Sequence, residues 1–529
     1  MSKAVTKWVG RAGVSVYFGR ALLLVLLLCS ASHQRQAGAQ TERAPGPAAG
    51  TAEPRPTPPL YRLSREDEDW SFLRDPSLRT DFFDPVKYIR LREGRDDWYM
   101  TVGGEVRPYY ERFRNENWGA APRDSNGFWL QRYMLHADVR MGGRFRAFFQ
   151  LKSGVETNRR GGARPPDEDY LDVHQAFFDV NFNLDGHTRG GGGGAPMGGS
   201  AVGERTLTLR VGRQEFNYGS GRLLSLREGP NVRHSFDAVR LVLRADGWRV
   251  DGFAARPAET NRGFFDDGAD TSQTLWGVYA VRPVGFAPGL MMDVYYVGLD
   301  RKLARFDQGA GREVRHSFGA RFSNSAPGGA NARGAFDYDV EFIGQSGTFR
   351  PAGAGGGRRG AIRAYTVGAH TGYTLRGARF GPRFGFGAAV ISGDRDPSDP
   401  DLGSFNPLFP RGSFFGQIAQ NGAANVRVLQ PSFTLRPAGN LSVIASTYFY
   451  WRDSVRDGLY GPPSSLMRTG QRSAARYVGT QHDLELTWEA SRHTTFKCFY
   501  AYYFAGRYLR ETPPGGDISF FGTQMSYRF

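Results

Sequence analysis

The chain ends in Ile518-Ser519-Phe520-Phe521-Gly522-Thr523-Gln524-Met525-Ser526-Tyr527-Arg528-Phe529, and this closing stretch narrows its possible folds more than any other. Successive side chains of a strand point to opposite faces. Phe521, Thr523, Met525, Tyr527 and Phe529 therefore share one face, and Gly522, Gln524, Ser526 and Arg528 share the other. One face suits lipid and the other suits water. A transmembrane antiparallel β-barrel asks this of its last strand, with an aromatic ring at the membrane interface. An ordinary half-buried strand gives the same short pattern, so the rest of the chain has to decide.

The remaining residues favour the all-β membrane reading. A mean hydropathy of -0.47 over 529 residues is too polar for a helical membrane protein, and no apolar run of about 18 residues occurs. A barrel meets the same composition easily, because half of each strand faces water. Alternating segments recur from Thr101 to the end, at 101–113, 128–141, 145–156, 170–182, 205–216, 236–245, 248–256, 273–282, 291–300, 314–323, 336–346, 362–374, 383–392, 425–436, 441–452, 476–489, 493–504 and 518–529. These make about 18 strands, and the even number allows antiparallel closure. Tight connections (142–144, 246–247, 437–440, 490–492) alternate with long ones (217–235, 257–272, 393–424, 453–475). A β-sandwich would not sort its loops by parity, whereas an outer-membrane barrel has short periplasmic turns and long external loops. The connections 183–204 and 324–335 are long on the short-turn side. Phe128, Trp129, Tyr133, Tyr295, Tyr296, Tyr448, Phe449, Tyr450, Trp451, Tyr500 and Tyr502 cluster toward strand ends and read as interfacial girdles.

The N-terminus reads as an export signal. Lys3, Lys7, Arg11 and Arg20 supply positive charge, Ala21 to Leu28 forms a short apolar core, and Ala37-Gly38-Ala39 offers a small-residue cleavage site. Leu28 is too bulky for lipoprotein processing at Cys29. Removing 1–39 takes away five basic residues and no acid, so the net charge falls from +16 to +11 (16 less 5). Cys498 is then the only cysteine left, which excludes an internal disulfide. Residues 40–64 are expected to be a disordered periplasmic leader. Residues 65–100 are read as a lead-in packed at the periplasmic rim, and 101–529 as the barrel. The terminal Phe529, with Tyr527 two residues earlier, also resembles the signal read by the barrel assembly machinery.

Of the 68 basic residues only Lys3, Lys7, Lys87, Lys152, Lys302 and Lys497 are lysines. Alternation turns Arg107, Arg132, Arg140, Arg146, Lys152, Arg210, Arg240, Arg244, Arg249, Arg315 and Arg321 toward the lumen. Guanidinium is always charged and grips carboxylate or phosphate bidentately, so such a set suits the path of a polyanion. Acids share the same lumen: Glu105, Glu111, Asp138, Asp179, Asp251, Asp337, Asp339, Glu341, Asp483 and Glu485. Cross-strand pairing that merely stiffens the barrel is the other reading. Asp394, Asp396, Asp399 and Asp401 are spaced to wrap a calcium ion, but Asp399 stands where an EF-hand loop needs glycine, so no metal is assigned. His234-Ser235 and His316-Ser317 would each send two adjacent side chains to opposite faces, so no catalytic residue and no enzyme activity are assigned. The glycine runs at 190–194 and 353–357 precede no helix and do not read as phosphate loops. No cofactor and no nucleic acid partner are expected.

Several stretches together resemble one family. They are Gly103-Gly104-Glu105-Val106-Arg107, preceded by Trp70 to Tyr88; Arg210-Val211-Gly212-Arg213-Gln214-Glu215-Phe216-Asn217-Tyr218-Gly219-Ser220-Gly221-Arg222-Leu223 with Asn231 to Arg240; Ser392-Gly393-Asp394-Arg395-Asp396 with Phe405-Asn406-Pro407-Leu408-Phe409-Pro410; and Gly479-Thr480-Gln481-His482-Asp483-Leu484-Glu485-Leu486. Over about residues 65–529 the chain resembles the alginate export family. The resemblance implies an eighteen-stranded barrel in the outer membrane, with an electropositive lumen for an acidic polysaccharide. In alginate exporters a long periplasmic turn between strands sixteen and seventeen helps plug the pore, whereas here that turn is only 490–492. The resulting expectation is a channel for an anionic, alginate-like polysaccharide or a smaller acidic solute. A general porin is the alternative, ahead of an outer-membrane enzyme or an adhesive barrel. Expected partners are that solute, outer-membrane lipid, the barrel assembly machinery and, on the polysaccharide reading, a periplasmic polysaccharide export complex.

Overall fold

Eighteen antiparallel strands close on themselves in the computed structural model, which describes residues 61–124, 126–185, 205–285, 289–324, 334–352, 358–462 and 464–529. The expected signal peptide and the leader through Leu60 lie outside these residues, as do both glycine runs and most of the 183–204 connection. The strands are β1 (Trp98–Arg114), β2 (Phe128–Met141), β3 (Phe145–Thr157), β4 (Asp169–Asn183), β5 (Thr206–Gln214), β6 (Phe236–Ala245), β7 (Trp248–Pro257), β8 (Gln273–Pro283), β9 (Leu290–Phe306), β10 (Gly309–Asn324), β11 (Gly334–Pro351), β12 (Gly360–Leu375), β13 (Arg383–Ile391), β14 (Val426–Ala438), β15 (Leu441–Trp451), β16 (Tyr477–Glu489), β17 (Thr494–Ala505) and β18 (Ile518–Arg528). Each pairs with its neighbour in sequence, and β18 pairs with β1. Lipid offers no partner to a free backbone group, so closure satisfies every strand.

The sequence-based segments agree with these strands to within three residues, except at β9, β10 and β11. There a two-residue turn at Asp307-Gln308 replaces the expected longer loop, and the strands run on past the apolar belt. Apart from Leu303 at the β9 bulge, the exposed positions in that extension include Lys302, Arg305, Arg312 and Arg350, so hydrophobic alternation does not reveal it.

Outward positions carry the lipid face: Leu135, Phe149, Phe178, Val239, Leu241, Val278, Val294 and Phe318 are exposed to the surroundings. The girdle set divides. Trp129, Tyr133, Tyr296, Phe449, Trp451, Tyr500 and Tyr502 do face outward, whereas Phe128, Tyr295, Tyr448 and Tyr450 are buried against the lumen filling. The correction follows from the same period of two, since neighbouring aromatics on one strand cannot share a face.

At the seam, the Gly104 N–H donates to the Phe529 carbonyl (2.8 Å) and the Phe529 N–H donates back (3.1 Å). Arg65 Nη2 also donates to that carbonyl (2.9 Å), and the Phe83 ring lies 5.1 Å from the Phe529 ring. A Cβ at Gly104 would sit 2.7 Å from the Met134 carbonyl, so the close approach requires glycine. Phe529→Ala is expected to lower the yield of heat-modifiable barrel on denaturing gels, because it removes the ring that seats the closing edge. Unchanged yield would contradict that role.

Residues 61–97 form a lead-in of short helical turns and α1 (Asp84–Lys87), followed by a two-residue strand, Ile89–Arg90, against β1. It passes beyond the rim into the lumen. Arg65 Nη1 donates to Gly104 O (2.9 Å), Arg146 to Glu66 O (2.6 Å), Arg140 to Glu68 O (2.7 Å) and Arg233 to Leu63 O (3.1 Å). Residues 61–64, which composition places at the end of the leader, are thus tied to the barrel, Tyr61 packing 5.3 Å from His493 beside the 490–492 turn and Leu63 O held by Arg233.

Candidate functional site: the charged lumen

Two external connections fold inward and meet. In the connection between β5 and β6, Gly219 and Gly221 both adopt positive φ (55° and 78°), which only glycine does cheaply, and they turn the chain into the lumen. In the connection between β13 and β14, residues 405–418 bring Phe405, Leu408, Phe409, Phe415 and Ile418 into the core. The two form a parallel bridge: Ser225 N–H donates to Phe409 O (2.9 Å), Phe409 N–H to Leu223 O (2.9 Å) and Arg411 N–H to Gly221 O (2.9 Å). Asn406 anchors the second connection, donating to both Glu313 oxygens (3.1 Å each), while Gln345 exchanges hydrogen bonds with the Asn406 backbone. Gln417 reaches Asp483 through its backbone (2.8 Å) and Glu485 through its side chain (2.9 Å).

Ten of the eleven cations read as lumen-facing are paired with carboxylates. Arg132 Nε donates to Glu105 (2.9 Å) and its Nη2 also meets Glu228. Arg107, 3.7 Å from Glu228, donates to the carbonyls of Glu228 (2.7 Å) and Pro230 (3.0 Å). Arg140 and Arg146 share Asp138 (3.2 and 2.7 Å). Lys152 sits between Asp169 and Asp267 (2.7 Å each), Arg210 forks onto Asp179 (2.7 and 2.9 Å), and Arg240 and Arg249 share Asp251. Arg315 meets Glu313 and Gln345, and Arg321 holds Asp339 (2.7 Å) and Asp293 (3.0 Å). Asp337 is taken by Arg383 and Glu341 by Arg222 (3.2 Å), two arginines outside the expected set. Arg244 alone of the eleven has no carboxylate partner among the described residues, and it stands directly across from Arg249.

These pairs do structural work. Glu105 gathers Arg132, Arg528 (2.8 Å) and Arg233 (3.8 Å), so one carboxylate ties β1, β2, β18 and the inward connection together. Burial pushes the Glu228 carboxyl up, but Arg132 and Arg233 more than offset this and hold it down at about 2. The filling is uneven. Against β1–β6 the inward charges are buried beneath the lead-in and the β5–β6 connection. On β10, β11, β13, β16 and β17 the inward Arg321, Asp339, Asp337, Arg383, Glu485 and Lys497 are partly exposed, so water reaches that side.

One exposed guanidinium stands on the inward connections themselves. Arg411 follows the Phe409 bridge, packs beside Gly221, and has no carboxylate partner among the described residues. Alternation could not flag it, because it lies in a loop. The Phe405 to Pro410 motif beside it, with Ser392 to Asp396, marks this connection as special.

The other candidates resolve into structure. Among the described residues the only cluster of metal-ligating groups is Asp169, Asp172 and Asp267, and there Lys152 already pairs with Asp169 and Asp267 while Asp172 accepts from the Asp266 and Asp267 backbone N–H groups. The Asp396, Asp399 and Asp401 carboxylates accept from Ser398, Asp401 and Ala361 backbone N–H groups, and Asp394 from that of Asp396. His316 faces outward to the Tyr296 hydroxyl (2.8 Å), whereas Ser317 faces inward to Gln345 (3.0 Å).

The lead-in is set to respond to acid. Burial pushes the Glu66 carboxyl up from 4.5 to about 8, with Glu215 and Asp67 adding to the rise. A raised carboxyl holds its proton only when docked, so this contribution is complete below about 4.5 and lost as pH rises through about 8. Burial lowers Lys87 from 10.5 to about 7, and its opposite contribution is already lost below that. Protection of residues 61–75 from protease is therefore expected to increase as pH falls from 7 to 5, and Glu66→Gln to flatten the increase. Protection that is flat or falling in the native chain would contradict this.

The alginate export family profile matches residues 98–517. No curated protein matches the sequence significantly. Solved structures with the same fold include Pseudomonas aeruginosa OpdK with vanillate, at 12% identity and TM-score 0.51, covering 81% of this chain and 98% of that one. Pseudomonas aeruginosa OccD3 (OpdP), at 12% identity and TM-score 0.50, covers 90% of this chain and 99% of its own. Pseudomonas aeruginosa OccK8 (OprE), at 13% identity and TM-score 0.50, covers 81% and 98%. At such identities the likeness is one of fold.

Proposed function

The chain belongs to the alginate export family and is an outer-membrane channel, and from this we propose that it passes an acidic solute or an anionic, alginate-like polysaccharide in preference to neutral or cationic ones. The observation that carries this reading is the charge left over after pairing. Most lumen arginines are spent on neighbouring carboxylates, but Arg411 and Arg244 have no such partner among the described residues; the inward acids Glu156 and Asp483 likewise lack a cation there, and of these four groups Arg411 alone is exposed. Low-dielectric walls focus the field of an unneutralised charge along a narrow passage, so the exposed Arg411 outweighs the closed pairs around it. The eleven-cation path read from alternation narrows on this account to Arg244, joined by Arg411, while the other ten support the walls.

The chain acts as a channel and not as an enzyme. The opposite facing of His316 and Ser317 supports that, since a nucleophile and its base need one face. A general porin is the second reading, favoured by the mutual neutralisation of Arg321, Asp293 and Asp339 and of Arg383 and Asp337. Liposome swelling separates the two. Vesicles carrying the barrel are expected to admit a hexuronate faster than a hexose of the same size, and Arg244→Gln/Arg411→Gln to remove the difference. Equal rates in the native barrel would favour the general porin.

A further inference from the structure

A second cationic surface lies on the outside of the barrel, where no passing solute travels. Past the apolar belt, the outward positions of β10 and β11 place Arg312 directly opposite Arg350. The β11–β12 ladder ends at the Phe349–Gly360 pair, and Arg359 immediately precedes β12 beside that end. Arg312 and Arg350 thus form a transverse pair, Arg359 stands at the end of the neighbouring ladder, and Arg363 lies on the outer face of β12. All four are exposed. Like charges directly opposite on adjacent strands repel. One acid answers them: Asp300 pairs with Arg312 (3.1 and 2.6 Å). Arg350, Arg359 and Arg363 have no carboxylate partner among the described residues, and residues 353–357 between the strands are glycine and alanine only.

We propose that this face docks the phosphate groups of outer-leaflet lipid, gripped by Arg350, Arg359 and Arg363 with Arg312 at the edge. Two features select that occupant. The patch continues the lipid-facing stripe, since the next outward positions of β12 are Tyr365 and Val367, with Phe342 on β11 and Phe318 on β10, all exposed. A lipid whose acyl chains lie on those residues sets its headgroup among the arginines. Guanidinium also matches phosphate bidentately, and several forks on one outer face suit a headgroup bearing more than one phosphate. The repulsion between Arg312 and Arg350 is relieved by the bound anion.

Native mass spectrometry of the full chain in detergent tests this, with bisphosphorylated lipid A, the same lipid dephosphorylated, and an oligouronate as probes. The phosphorylated lipid is expected to be retained about tenfold better than its dephosphorylated form, a modest gain for charge-assisted bidentate contacts. Arg350→Gln/Arg359→Gln/Arg363→Gln is expected to lose most of that margin and to keep its heat-modifiability, because the three side chains are exposed. Arg205→Gln, at the opposite end of the barrel beside Asp246, is expected to leave retention unchanged. Should the triple variant fold poorly, Arg363→Gln alone provides the comparison. Equal retention of the two lipids, a triple variant that binds like the native chain, or preference for the oligouronate would overturn the proposal.

Discussion

Replacing Arg132 with alanine is expected to remove most of the heat-modifiable barrel. Its side chain is 1% exposed and lies between Glu105 on β1 and Glu228 on the inward connection. Such a pair adds little over a well-packed apolar substitute, but deleting one partner leaves a charge buried without compensation, at about 3–5 kcal/mol. Domains commonly hold only about 5–15 kcal/mol in all, so that loss is a large fraction. Arg233 and Arg528 still face Glu105, which moderates the loss without restoring the link from β2 to the connection. Arg249→Ala is the contrast, because that side chain is 44% exposed and shares Asp251 with Arg240. Its expected cost is about 1 kcal/mol or less. Urea titrations of the refolded barrels, read by gel mobility, compare the two. Similar midpoints would show that the buried network does not hold the barrel together.

Arg411→Glu is expected to weaken block of the open channel by an oligouronate by about tenfold or more. The native guanidinium stands exposed on the inward connections without a carboxylate partner among the described residues. Reversing its charge turns an attraction in a confined path into a repulsion. The effect of focused charge on association begins at roughly tenfold and can be much larger. The blocking concentration should therefore rise by about tenfold or more, while heat-modifiability stays native because Arg411 carries no ion pair. Single-channel recording with added oligouronate measures this. Unchanged block would move recognition away from Arg411.

Much of the fold was legible because period-two alternation is imposed directly by lipid on one side and water on the other. It located every strand of the barrel, though not the small hairpin Leu459–Gly461/Ser465–Arg468 in the 453–475 loop. It missed barrel-strand lengths by more than three residues only where β9–β11 leave the membrane and charge replaces apolar residues outside. The lumen was harder to read. Alternation says that Arg132, Arg146 and Arg240 face inward, but not that Glu105, Asp138 and Asp251 meet them there, because partners on other strands depend on register. The filling was harder still. Arg233, Glu228 and Arg411 lie in loops, and Arg65 and Glu66 in a polar segment without periodicity, so neither helix nor strand patterning reports where they go. The girdle reading failed in part for a simpler reason: Tyr448, Phe449, Tyr450 and Trp451 are contiguous, and a strand divides such a run between its two faces.

With Arg411 exposed on the inward connections and the unpartnered acids Glu156 and Asp483 less exposed, the passage should carry a net positive field. The reversal potential of the purified native barrel in a planar bilayer, held across a salt gradient, measures that field directly. It is expected on the anion side, with a smaller value in high salt as screening shortens the reach of Arg411 and Arg244. A cation-selective or non-conducting barrel would contradict it.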